Sequence, residues 1–236
     1  AALVLADDGS RDGSREWFLS CHPGSRAVGP ETNTRNPNLV RNLGLRAVGT
    51  RHAFLVDDDI IVQPGCVEAL LAALEQHADA VCATPRILDR DAPGQVYADG
   101  GAVHFLAVSR RRVAPGDTSP PPGEPFPSCG SGIMLIDLQR AARIGLFDER
   151  YAFGWGDDGE LHLRSRLLGA TALHVPRACC LHRAKSHGTR RAYAQLRNRW
   201  RMMLTFWSAR TLCLTLPSVV VFELALAASA VRRGFG

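Results

Sequence analysis

Apolar and polar residues alternate along this chain in blocks that predict strands and helices in turn. Residues 1–6 (AALVLA) form a short continuous apolar run that stops at Asp7-Asp8-Gly9-Ser10, which predicts a buried parallel strand entering a turn. Residues 14–20 fit a short helix, and Leu39, Leu43 and Ala47 have helical spacing over 39–48. Residues 52–56 read as a second strand, ending at Asp57-Asp58-Asp59. Pro64 sits where a helix would begin, 66–77 is strongly helical, and 79–84 (DAVCAT) reads as a third strand. This alternation predicts an α/β protein with a doubly wound, mostly parallel sheet.

The second half is less regular. Residues 96–108 read as a looser β region. Residues 114–127 hold six prolines and predict a mobile loop, either a lid or a plain surface insertion. A strand over 131–136, helices over 137–144 and 158–168, and a strand over 171–175 follow. The chain closes with a basic, aromatic-bearing helix over 190–207 and an almost wholly apolar segment over 211–231.

Composition narrows the class. A 46% hydrophobic content is enough to bury a core, which excludes general disorder across the 236 residues. The net charge of +5 is uneven: between Arg183 and Arg201 lie seven basic residues and no acidic one. Such a block suits phosphate, nucleic acid or a lipid headgroup surface. The seven cysteines are odd in number and form no CxxC, and Cys179 and Cys180 are adjacent. That argues for a reducing compartment and against a zinc ribbon or disulfide scaffold. No signal-peptide pattern opens the chain, and residue 1 falls inside an apolar run without an initiator Met, so the chain reads as cut at its N-terminus.

The chemistry lies in acidic clusters. In open α/β sheets, ligands bind beyond the carboxyl ends of the strands. Both Asp7-Asp8 and Asp57-Asp58-Asp59 fall at such ends. Adjacent carboxylates repel unless a cation or donor arrives. Mg²⁺ or Mn²⁺ with a bound phosphate would relieve that repulsion; a solvated acidic turn or a helix cap is the other reading. A third cluster, Gly154-Trp155-Gly156-Asp157-Asp158-Gly159-Glu160, opens a helix, where negative charge is also favoured as a cap. A carboxylate held among others gains proton affinity and suits a general base. Trp155 fits either stacking on a sugar ring or core packing.

Four stretches occur in order: LVLADDGSRDGS (3–14), RNLGLRAVGTRHAFLVDDDIIVQPG (41–65), CGSGIMLI (129–136) and GLFDERYAFGWGDDGELHLRSRLLGA (145–170). The set resembles glycosyltransferase family 2, the inverting nucleotide-sugar transferases, over about residues 3–183. Arg197-Asn198-Arg199 resembles the bacterial rhamnosyltransferase-like branch. The resemblance implies a Rossmann-like sheet of GT-A type, flanked by helices, with a strand and helix expected before residue 1.

It also implies roles. Asp8, with Asp7 beside it, would contact the nucleotide base. Asp57 and Asp59 match the outer positions of the DxD motif, Asp59 binding the metal on the diphosphate and Asp57 lying near the ribose or metal. Gly130, Ser131 and Gly132 match a small-residue turn near the donor sugar and acceptor. Asp157-Asp158 matches the family's Glu-Asp pair, with Asp158 the base. Arg164 lies on the helix after the base, where an Arg is usual and donor contact is expected. His182 matches a histidine that reaches the metal or diphosphate.

The expected domains are a catalytic unit over 1–189 and a basic, apolar helical tail over 190–236. Residues 211–231 would span about 31 Å as a helix, close to a hydrocarbon core of about 30 Å. Pro217 would kink it, and Glu223 would cost about 3 kcal/mol near the bilayer centre. The tail reads as embedded in, or lying on, the cytoplasmic leaflet. The other reading packs it on the catalytic unit or on a second copy in a homo-oligomer.

The expected activity is metal-dependent, inverting hexosyl or deoxyhexosyl transfer, using Mg²⁺ or Mn²⁺. The donor would be a nucleoside diphosphate sugar. The acceptor hydroxyl would belong to a saccharide or a lipid-linked species in bacterial cell-surface polysaccharide assembly. A competing reading is an inactive transferase-fold protein acting as a membrane-bound partner. Nucleic acid is not an expected partner, because the basic block adjoins an apolar tail and holds no recognition motif.

Overall fold

The computed structural model describes residues 2–92, 94–129, 132–153, 156–183 and 192–232. The chain order is β1 (Val4–Ala6), α1 (Ser14–Cys21), β2 (Arg26–Val28), α2 (Pro37–Ala47), β3 (His52–Leu55), β4 (Ile60–Val62), α3 (Cys66–Gln76) and β5 (Ala80–Asp89). There follow β6 (Val96–Ala98), β7 (Gly101–Val103), β8 (Ser109–Arg111), β9 (Phe126–Pro127), β10 (Met134–Asp137), α4 (Leu138–Ile144), α5 (Asp157–Leu167) and β11 (Thr171–His182). The last two elements are α6 (Ala192–Phe206) and α7 (Ala209–Arg232).

The central sheet runs β3-β10-β5-β11-β4, with β6 on β5 and β9 on β11. Its side chains alternate between two cores, as a pleat requires. Ile133 and Leu135 join the core under α3 with Leu70 and Leu74. Met134 and Ile136 face the opposite core with Leu45, Phe147 and Leu161. The expected helix-flanked α/β sheet is present, but it is mixed rather than mostly parallel. Among its described pairings only β5–β11 is parallel. β10 enters from the long excursion after β5 and so runs against both β3 and β5. β1 pairs in parallel with β2 as a separate two-stranded unit.

Two sequence expectations change. The buried face of α2 is Asn38, Val40, Asn42, Gly44 and Leu45, not the Leu39-Leu43-Ala47 stripe. The polar residues go inside because they satisfy backbone groups: Asn42 Nδ2 donates to Phe147 O at 2.9 Å, and Asn38 Nδ2 donates to Asp148 O at 3.0 Å.

The proline-rich segment is pinned rather than loose. Val96 N donates to Asp117 O at 2.8 Å, and Ser119 N donates to Gly94 O at 2.9 Å. Arg86 Nη1 donates to Ser119 Oγ and Pro120 O, and β9 pairs with β11. Arg86 in turn belongs to a buried polar cluster on Asp99, which also accepts from Arg112 at 2.6 Å and lies 2.7 Å from His174 Nε2.

The tail divides in two. α6 packs into the domain: Met202 and Met203 are buried with Tyr151 and Ala107, and Asn198 Nδ2 donates to Ala152 O. α7 is 24 residues of mean hydropathy 1.9 in its most apolar window, long and apolar enough to cross a membrane. It touches the domain along a narrow stripe through Val219, and Glu223 pairs with Arg199 of α6 at 2.9 Å. The opposite stripe is open, with Leu214, Val221 and Leu224 each 65% exposed or more.

Candidate active site

The strand ends assemble the site. β3 runs out into Asp57, and antiparallel β10 begins beside that end, with Met134 opposite Leu55. Gly132, two residues before Met134, therefore faces the acidic turn. A Cβ there would lie 2.8 Å from Arg41 Nη2 and 3.5 Å from Asp57 Oδ2, so a side chain at this position would require the Arg41 guanidinium to move.

Arg41 is the hub. It stands on the inner side of α2, between Asn38 and Asn42, whose bonds to residues 147–151 fix the segment leading into α5. Arg41 Nη2 lies 3.7 Å from Asp57 Oδ1, and Arg41 Nη1 forms a tight ion pair with Asp157 Oδ2. Burial opposes the guanidinium charge, but Asp157, Asp57 and Asp158 outweigh it and hold Arg41 more firmly protonated.

Asp157 and Asp158 occupy the first turn of α5, which begins at Gly156 with a left-handed φ of 80°. The helix N-terminus favours both carboxylates. Asp158 Oδ1 accepts from Gly159 N at 2.8 Å. Burial, then repulsion from Asp157, pushes the Asp158 carboxyl up to about 7, against the weaker pull of Arg41. Asp57 is also raised, by burial and by its acidic neighbours Asp59 and Asp58, with Arg41 opposing. Asp157, Asp158, Gly156 and Gly132 line a cleft of about 300 Å³, whose other wall is Tyr97, Gly100, Gly101 and the β8 residues.

The third part is at the far edge of the sheet. β4 pairs antiparallel with the end of β11, setting His182 opposite Ile60. This brings His182 Nε2 to 3.4 Å from Asp59 Oδ2, with the His182 ring 4.4 Å from Tyr97. His182 Nδ1 is buried without a hydrogen-bond partner among the described residues.

The expected residues thus sort into groups. Asp57, Asp157, Asp158 and Gly132 gather about Arg41, which sequence reasoning missed. Its signal was the polar triplet Asn38, Arg41 and Asn42 at helical spacing on one face. Asp59 and His182 pair beside them. The expected metal set is split, because Asp57 turns to Arg41, and no group of three His, Cys, Asp or Glu forms a metal cage among the described residues. Asp59 and His182 still fit Mg²⁺ or Mn²⁺ as a half-site: an oxygen donor, a nitrogen donor and an orphaned ring nitrogen, of the kind substrate phosphates complete.

Asp7 and Asp8 shape their own turns. Asp7 accepts from Ser10 N at 3.1 Å; Asp8 accepts from Thr34 N at 2.9 Å, from Thr34 Oγ1 at 2.6 Å and from Arg35 N at 3.1 Å. The Asp8 turn is linked toward the cluster's side of the domain by Arg35, whose carbonyl accepts from Phe153 N. Arg164 does not face the cleft as a donor contact. Its guanidinium is taken up by Glu160 and by the carbonyls of Ile144, Gly145 and Leu146, clamping α5 to the end of α4. Gly130, Ser131 and Trp155 lie outside the described residues.

A helix-flanked mixed sheet with acidic strand ends and an acidic helix start at one cleft defines an α/β fold of GT-A type. Residues 2–113 match the model of Glycosyl transferase family 2. The fold is similar to that of GalNAc-T7, solved with UDP, GalNAc and Mn²⁺ (TM-score 0.68, 19% identity, 89% of this chain and 42% of that one). It is also similar to residues 1–349 of TarS from S. aureus (TM-score 0.54, 14% identity, 88% and 57%). The chain therefore spans about half the length of these two structures, and at such identities the likeness is one of fold. No curated protein matches the sequence. Family and fold together support glycosyl transfer.

Proposed function

We propose that this chain carries the catalytic part of a metal-dependent, inverting glycosyltransferase. It would move a hexosyl or deoxyhexosyl group from a nucleoside diphosphate sugar to a hydroxyl, in bacterial cell-surface glycan assembly. The observation that carries this reading is the meeting of Asp57 and Asp157 on one arginine, with Asp158 half-buried beside them at the cleft. GalNAc-T7, solved with UDP, GalNAc and Mn²⁺, supports a nucleotide-sugar donor and a divalent ion.

Asp158 is the proposed base. Its carboxyl, pushed up to about 7, holds a proton more strongly than an ordinary carboxylate and still empties near neutral pH. It takes the proton of the acceptor hydroxyl as that oxygen attacks the anomeric carbon. The bond from that carbon to the diphosphate oxygen breaks on the opposite face, and the configuration inverts. Asp157, anchored by Arg41, keeps negative charge beside Asp158 and so sustains its basicity. Asp59 and His182, with Asp57 nearby, would hold Mg²⁺ or Mn²⁺. A bound ion supplies charge that offsets the anion forming on the departing diphosphate. By the resemblance, Asp7 and Asp8 mark the nucleobase side, and Gly130, Ser131, Gly132 and Trp155 the sugar side. Residues 1–189 would form the catalytic unit, and the 190–236 tail, through α7, would hold it at the cytoplasmic face of the membrane.

Thermal-shift screening against a panel of nucleoside diphosphate sugars, with and without Mn²⁺, tests this reading. A donor that raises the melting temperature only with the ion is expected. No response to any donor under either condition would contradict it.

A further inference from the structure

We infer that the β7–β8 hairpin is the acceptor subsite and that it takes an acceptor bearing a phosphate-class anionic group. The inference rests on the transferase reading of the cleft and names the substrate class on its second wall. That wall includes Arg110 and Arg111, both exposed, across from Asp157 and Asp158. Among the described residues neither arginine has a carboxylate at ion-pair distance. Their neighbour Arg112 differs: it is spent on Asp99 at 2.6 Å. Both residues line the cleft, and a guanidinium without a carboxylate partner presents forked donors suited to phosphate oxygens.

Arg111 is also held in place. Its Nη1 donates to Tyr97 O at 2.6 Å, and its guanidinium lies 5.2 Å over the Tyr97 ring. That ring meets His182, which meets Asp59, so the hairpin is tied by packing to the proposed metal half-site. The hairpin tip leads to the apolar tail. Trp207 Nε1, at the α6–α7 junction, donates to Phe105 O at 3.0 Å, and Arg199 Nε, in the middle of α6, donates to Leu106 O at 3.0 Å. A phosphate at the arginines can therefore belong to a soluble sugar phosphate or to a lipid whose chain lies along α7.

Calorimetry on the full chain separates these sources. The probes are glycerol 1-phosphate and dihexanoyl phosphatidic acid, with glycerol and dihexanoyl glycerol as uncharged counterparts. Both phosphate probes should bind and the uncharged ones should not. Arg110→Glu with Arg111→Glu should weaken phosphate binding about tenfold or more, as loss of two charge-assisted contacts requires. Arg143→Glu with Arg166→Glu, at the far ends of α4 and α5, should leave it unchanged. Should the charge-reversed protein not fold, Arg110→Lys with Arg111→Lys, which keeps the charge without the fork, should retain part of the affinity, and Arg110→Ala with Arg111→Ala should lose it. Tighter binding of the phosphatidic acid assigns a lipid-borne acceptor; equal binding assigns a soluble one. Binding that is insensitive to charge at these arginines, or absent, overturns the subsite. Phosphate binding that depends on the arginines in a protein that transfers no sugar would instead count against the transferase reading.

Discussion

Two desolvated aspartates in this molecule have opposite fates. Burial would push the Asp99 carboxyl up, but bonds from His174, Arg86 and Arg112 outweigh it and hold the group well below the usual carboxylate range. Asp158, half-buried at the cleft, is desolvated too, yet it has Asp157 as a neighbour and only a share of Arg41, and its carboxyl rises to about 7. Desolvation is common to both. The ratio of cations to carboxylates decides between a group fixed in its charge and one poised to change it. Asp99, with three partners, builds structure: it locks the proline-rich segment to β5. Asp158, underpaired at the cleft, is the residue proposed for chemistry.

Removing each carboxylate should break the comparison in a different readout. Asp158→Asn should lower the rate of transfer by about 10²–10⁴, the range of general-base catalysis, while donor binding by calorimetry persists. Unchanged turnover would remove Asp158 as the base. Asp99→Ala should leave the buried Arg86 uncompensated and destabilise the protein by about 3–5 kcal/mol in urea unfolding. A loss within experimental error would show that the quartet does not hold the fold. Because the folded pKa of Asp99 is depressed, its contribution is present above the ordinary carboxylate pKa of about 4 and fades only in stronger acid.

Smaller effects sharpen the contrast. The base acts deprotonated, so activity should fall as pH drops through about 7. Arg41→Met removes the one cation shared by the cleft carboxylates and should move that acid limb upward by about one pH unit, read from the pH dependence of kcat/KM. A limb that stays in place would detach Arg41 from Asp158. Asp59→Ala should weaken Mn²⁺-dependent donor binding by about tenfold, seen as a reduced difference between calorimetric titrations with and without the ion.

The acidic residues of the site were legible because strand ends and a helix start place carboxylates where only a ligand or a cap explains them. Arg41 was not, since its contact with Asp157 joins positions 116 apart, and no local pattern encodes that pairing. The helix of α2 was legible from its apolar spacing, but the burial of Asn38 and Asn42 was not, because it depends on the distant backbone groups they satisfy. Prolines at 114–127 suggested mobility, yet Arg86 and the Asp99 cluster, formed across β5 and β11, anchor that segment. Gly132 was legible as a small residue in a turn, and its reason is the arginine passing where a Cβ would stand. The parallel content of the sheet was overestimated because strand direction depends on the path of the 96–127 excursion, which periodicity does not encode.

The central claim is that crowding, rather than burial alone, poises one cleft carboxyl near neutrality. Carbon-13 NMR of aspartate-labelled protein, with the Asp158 signal assigned by its loss in Asp158→Asn, reads this directly in the absence of any substrate. The account predicts one carboxyl signal that titrates with a midpoint near 7. A midpoint near the ordinary value of about 4 would contradict it.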